Sequence, residues 1–105
     1  MKSDIRNIVE HSVVSEKAIE RYLCLRVAEK GGICLKYSNP NQAGYPDRVI
    51  ILPKGKTIWV ELKSKGQHPS KIQLSRFAKM EALEHKVYIC DCMEDVEEIM
   101  KRLKD

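Results

Sequence analysis

Apolar positions recur along the chain with two different periods, and the switch from one to the other marks out its elements. Ile19, Leu23 and Val27 repeat every four residues behind Ser15, a residue suited to capping a helix that opens at Glu16, and Gly31-Gly32 stops the pattern. This predicts a helix over 16–30. Ile33 to Tyr37 reads as a short strand, and 38–44 is a polar run of turn formers. The runs 47–52 and 57–63 are rich in β-branched and apolar residues, and Pro53-Lys54-Gly55-Lys56 between them signals a hairpin. A second helix is expected from Pro69-Ser70 to about Glu84, since proline is tolerated in a first turn. A strand over 87–90 follows, then a helix over 94–103 with Val96, Ile99, Met100 and Leu103 on its inner face. Residues 1–14, with Ile5, Ile8, Val9 and Val13 loosely spaced, read as a short helix or an arm. The order α-β-β-β-α-β-α, without repeat, low-complexity tract or long linker, predicts an α/β fold in one domain spanning 1–105.

Length and charge narrow the class without fixing a function. A chain of 105 residues builds a modest core, so association with a second copy is a plausible way to bury more apolar surface. Nineteen basic against 15 acidic residues leave a net charge of +4, compatible with a polyanionic partner. Cys24, Cys34, Cys90 and Cys92 form no CxxC pair, and His11, His68 and His85 lack ligand spacing, which argues against zinc. The bland reading of Cys90 and Cys92 is that of small apolar thiols on a strand. No run approaches the ~18 apolar residues of a membrane span and the N-terminus lacks the apolar core of a signal peptide, so the expectation is a soluble protein of the cytoplasm with no small-molecule cofactor.

Candidate chemistry centres on two acids, Asp47 in Gly44-Tyr45-Pro46-Asp47 and Glu61 in Ile58-Trp59-Val60-Glu61-Leu62-Lys63. A hairpin turning near Lys54-Gly55 brings Asp47 opposite Glu61 or Leu62, depending on the loop. Lys63 lies two residues beyond Glu61, on the same side of its strand. Two carboxylates that hold a hard divalent cation beside a lysine are what metal-dependent phosphodiester cleavage requires. Both acids continue rows that are otherwise largely apolar, with Val49 and Ile51 behind Asp47 and Trp59 behind Glu61; a carboxylate there is costly unless hydrated or bound to a cation. In the first helix the apolar arc of Ile19, Leu23 and Val27 also contains Glu16 and Glu20, either of which suits a third acidic position, Glu16 lying nearer the centre of the arc. Gln73 falls within about 40° of Phe77 and Met80, an inward place for an amide. Lys65, Lys71, Arg76 and Lys79 around the start of the second helix, with Lys36 on the first strand, are candidates for contact with a nucleic-acid backbone, a solvated basic surface being the ordinary alternative.

The runs Gly44-Tyr45-Pro46-Asp47, Val60-Glu61-Leu62-Lys63 and Pro69-Ser70-Lys71-Ile72-Gln73, with Ser15-Glu16 opening the first helix and Gly31-Gly32 closing it, together resemble the VRR-NUC branch of the PD-(D/E)xK nucleases over nearly the whole chain. The resemblance implies a restriction-endonuclease-like core, a mixed β-sheet flanked by helices. It implies Mg²⁺ or Mn²⁺ held by Asp47, Glu61 and the backbone carbonyl of Leu62, with Glu16 completing the site directly or through water and Glu20 in reserve. Lys63 would position the attacking water and Gln73 would support the site. Stand-alone phage and bacterial members of this branch are homodimers that cleave four-way DNA junctions, which makes a Holliday junction resolvase the expected activity. A general or flap-directed DNA nuclease within a larger assembly and an idle DNA-binding module are the alternatives.

Overall fold

The computed structural model describes residues 14–103, so most of the segment expected to be an arm lies outside the described residues; Val14, at its end, packs against the core. Helix α1, Glu16–Glu29, starts where Ser15 accepts the Ala18 N–H at 3.0 Å. It ends at Lys30, where Gly31 takes the left-handed conformation, φ 83°, that closes a helix without steric cost. Strand β1, Ile33–Lys36, is one residue shorter than expected, and β2 spans Arg48–Leu52, leaving Asp47 just before it. The turn Pro53–Gly55 carries the chain into β3, Lys56–Leu62, with Lys54 and Gly55 both left-handed at φ 65° and 74°. Helix α2, Lys71–Ala82, stops two residues earlier than predicted because Glu84 turns left-handed at φ 68°. Strand β4, Val87–Cys90, and helix α3, Met93–Arg102, complete the chain.

The four strands lie in the order β1-β2-β3-β4, antiparallel up to β3 and parallel between β3 and β4. A mixed sheet of this kind needs a crossover, and α2 supplies it. Ile50, Leu52, Ile58, Val60, Leu62 and Cys90 face one way and bury themselves against Ile19, Leu23 and Val27 of α1 and Val96, Ile99 and Met100 of α3. A bidentate contact ties those two helices together: Arg26 donates from Nε at 2.8 Å and Nη2 at 3.0 Å to the Glu97 carboxylate, which also accepts the Tyr22 hydroxyl. The Arg26 guanidinium holds the Glu97 carboxyl down to about 2. Alternation sends Val49, Ile51, Thr57, Trp59 and Glu61 to the opposite face, where α2 covers the β3–β4 half and buries Phe77. On the β1–β2 half Ile33, Leu35 and Ile51 stay exposed. Among the described residues no helix is long and apolar enough to cross a membrane.

Two leucines of α1, two residues apart and on different faces, test this division. Leu23, wholly buried, should cost about 2–5 kcal/mol on replacement by alanine, whereas Leu25, 57% exposed, should change stability by no more than about 0.5 kcal/mol in urea denaturation.

Candidate active site

The hairpin register decides the geometry. Arg48 pairs with Val60 and Leu52 with Lys56 across the three-residue turn, so the next position outward on the same register sets Asp47 against Glu61, with both side chains on one face. Of the two pairings open to the sequence, the structure adopts the one that brings the acids together. Asp47 is held at the mouth of the hairpin: its carbonyl accepts the Tyr37 N–H at 2.8 Å and its Oδ1 accepts the Leu62 N–H at 3.2 Å. Pro46 beside it is fully buried. Gly44, two residues earlier, has φ 100°, and a Cβ there would come within 2.9 Å of the Arg76 Cγ and 3.1 Å of the Ile72 Cγ1. The Gly-Tyr-Pro-Asp run thus lies flat against α2.

Among the described residues Glu61 is the one buried charged side chain, 4% exposed. Its Oε2 accepts the Gln73 Nε2–H at 2.9 Å and faces the Lys63 ammonium at 3.2 Å. Its Oε1 is buried without a partner. An ionised oxygen left like this costs on the order of several kcal/mol unless something positive reaches it. Lys63 sits just past the end of β3, where its N–H still donates to the Cys90 carbonyl at 2.8 Å, so the alternation that aims it beside Glu61 is preserved.

Asp47 shows the electrostatic consequence. Burial first, then the negative charge of Glu61 and, more weakly, of Glu16 push its carboxyl up to about 6, against the opposing hydrogen bond from the Leu62 N–H. The Asp47 carboxylate and the unpartnered Glu61 Oε1 form a donor set of hard oxygens, which fits Mg²⁺ or Mn²⁺. Glu16, exposed in the first turn of α1, acts on Asp47 through space. Glu20 is engaged elsewhere: Arg48 Nη2 and Nε donate to its Oε2 at 2.6 and 3.0 Å. Arg48, adjacent to Asp47, is the residue that separates the two acids of α1, and the sequence gives no period or motif to signal it.

The basic candidates divide. Lys36, Lys65 and Lys71 are exposed. Arg76 is engaged instead, donating to the Ala43 carbonyl at 3.0 Å and lying 5.3 Å over the Tyr45 ring, so it braces the 38–44 loop. Gln73 does more than its inward position implied, because it also belongs to a capping box with Ser70. That feature is readable as Ser-x-x-Gln ahead of an apolar run. Among the described residues a separate trio, Asp91, Cys92 and Asp95, brings its ligand atoms within 4.8 Å of one another. It is a poor metal site: an Asp91 oxygen accepts the Gly66 N–H, an Asp95 oxygen accepts the Asp91 N–H, and burial pushes the Cys92 thiol up to about 11.

A mixed sheet with a buried glutamate, an aspartate across the hairpin and a lysine two residues on is the frame of a nuclease core. No family model matches the chain. The protein p44 of Acyrthosiphon pisum secondary endosymbiont phage 1, whose name describes it as a nuclease, is 40% identical over 79 residues, 75% of this chain and 85% of p44. A solved VRR-NUC domain superposes with a TM-score of 0.79 at 25% identity, over 84% of this chain and 96% of its own. The chain belongs to the VRR-NUC family of nucleases.

The raised Asp47 carboxyl gives a test by pH and substitution. Without metal its ionised form is disfavoured in the fold, so this group makes the protein less stable as pH rises from about 4 through about 6. Asp47→Asn should therefore leave the melting temperature in EDTA equal to or above that of the wild type at a pH about one to two units above that range. Mn²⁺ should raise the melting temperature of the wild type and leave that of Asp47→Asn unchanged, and Mn²⁺ affinity of the wild type should weaken as pH drops below about 6. Scanning fluorimetry with and without Mn²⁺ reads both effects.

Proposed function

We propose that this chain is a metal-dependent endonuclease that hydrolyses phosphodiester bonds in DNA, and that branched DNA, above all the four-way junction, is its substrate. The observation that carries the proposal is the buried, unpartnered Oε1 of Glu61, across the hairpin from an Asp47 whose carboxyl burial and the Glu61 charge push up to about 6. Asp47, Glu61 and the Leu62 carbonyl are the ligands we assign, with Glu16 joining through water. A divalent cation at these oxygens supplies Lewis-acid stabilisation of the scissile phosphate and lowers the pKa of a water.

The chain's own residues do the rest. Lys63, held at 3.2 Å from Glu61, is placed to orient the attacking water and to offset the negative charge that builds on the phosphate. Gln73 keeps Oε2 of Glu61 occupied. Lys65 and Lys71, exposed where the chain enters α2, are assigned to the DNA backbone. A two-fold dimer would present two such sites to the two-fold axis of a junction, which accounts for paired cuts. That assembly and the junction preference rest on family resemblance.

Cleavage of an end-labelled four-way junction beside linear duplex, flap and single-stranded DNA, in Mg²⁺, Mn²⁺ and EDTA, tests this reading. Paired, metal-dependent cuts in the junction are expected. Equal cutting of every substrate would remove the junction preference, and no cutting under any condition would leave a DNA-binding module. Glu61→Gln should lose metal affinity and activity together. Lys63→Ala should keep metal and DNA binding yet lower kcat by about 10²-fold or more, and a variant that no longer binds DNA would assign Lys63 to phosphate anchoring instead.

A further inference from the structure

The geometry points to the capping box of α2 as the device that aims Glu61, with Ser70 a positioning residue acting through Gln73. This rests on the assignment of Glu61 as a cation ligand. In an ordinary capping box the third helical residue reaches back to the cap N–H and nothing more, and glutamate serves as well as glutamine. Here the reach-back has a second end. The Ser70 N–H donates to the Gln73 Oε1 at 2.9 Å, the Gln73 N–H donates to the Ser70 Oγ at 3.2 Å, and the Gln73 Nε2 donates to the Glu61 Oε2 at 2.9 Å.

A primary amide carries an acceptor and a donor side by side, and in Gln73 both are committed. Turned over, it would set its NH₂ against the Ser70 N–H and its oxygen against a carboxylate, two repulsive contacts at once. The Ser70 N–H therefore fixes which end of the amide faces Glu61. With Lys63 on the same oxygen, Oε2 is saturated and Oε1 is left free. Glutamate at position 73 would complete the cap equally well but place charge against charge, so the choice of glutamine belongs to the site and not to the helix. A partner that orients a ligating carboxylate typically contributes 10–100-fold in metal affinity.

Two substitutions at one position separate the cap from the aim. Ser70 has φ −71° and ψ 169°, a conformation open to proline, and proline alone removes the backbone N–H. Ser70→Ala and Ser70→Pro both lose the hydroxyl cap and should both lower the thermal midpoint. Mn²⁺ titrations should show affinity near wild type in Ser70→Ala and roughly 10-fold weaker in Ser70→Pro, with kcat reduced and KM for DNA unchanged. In a Gln73→Met background Ser70→Pro should have no further effect on Mn²⁺ affinity, whereas general damage to the fold would add. Equal Mn²⁺ affinity of the two Ser70 variants, or additive losses, would overturn the proposal. If the wild type itself binds no Mn²⁺, the cation site fails, and hydrogen exchange at the Gln73 side-chain NH₂ still decides the positioning role. Slow exchange in the wild type and fast in Ser70→Pro sustains it; equal exchange overturns it.

Discussion

Everything at the functional end of this protein depends on the pairing register of β2 with β3. The register is set at the far end of the hairpin, where a three-residue turn with two left-handed residues joins Leu52 to Lys56. Because side chains alternate, that turn determines that Asp47 and Glu61 meet on one face while Ile50, Leu52, Ile58 and Val60 all enter the core on the other. A slip by one residue would expose the core row and disperse the acids in the same step. Core stability and site assembly are therefore one constraint, enforced by the buried apolar row of β2 and β3.

The site is unfavourable by itself, and the surrounding structure tolerates it by specific means. Glu61 is shielded by α2, Asp47 is raised toward neutrality, and Glu20 is diverted to Arg48 so that it adds no further charge. The helix that covers Glu61 covers that half of the sheet only, and Ile33, Leu35 and Ile51 on the other half stay in water. Coverage is placed where desolvation strengthens electrostatic interaction with a cation.

Much of this was legible in the residues. Strand and helix periods located every described element to within about two residues, the usual scatter of helix and strand ends. Glu61 and Lys63 were fixed to a common side by alternation alone. What periodicity did not decide was Asp47 against Glu61 or Leu62, since that turns on the conformation of Lys54 and Gly55, and Glu16 against Glu20, since both share one helical arc. On the second, the structure adds an ion pair of Glu20 with Arg48, whose side chain comes from a strand position 28 residues away in sequence. Long-range ion pairs leave no periodic trace. The engagement of Arg76, one of the candidates for the nucleic-acid backbone, is illegible for the same reason: its partners, Ala43 and Tyr45, lie in a loop whose path no pattern describes.

Gly44 carries a consequence for how such a chain can change over generations. Its left-handed backbone excludes other residues, and the space where a side chain would begin is already filled by Ile72 and Arg76. The loop that delivers the aspartate and the helix that delivers the glutamine are thus in contact at a point with no slack. Neither can drift alone: a lineage that replaced the glycine would have to shrink positions 72 and 76 and rebuild the turn together, so the two halves of the site are inherited as one block.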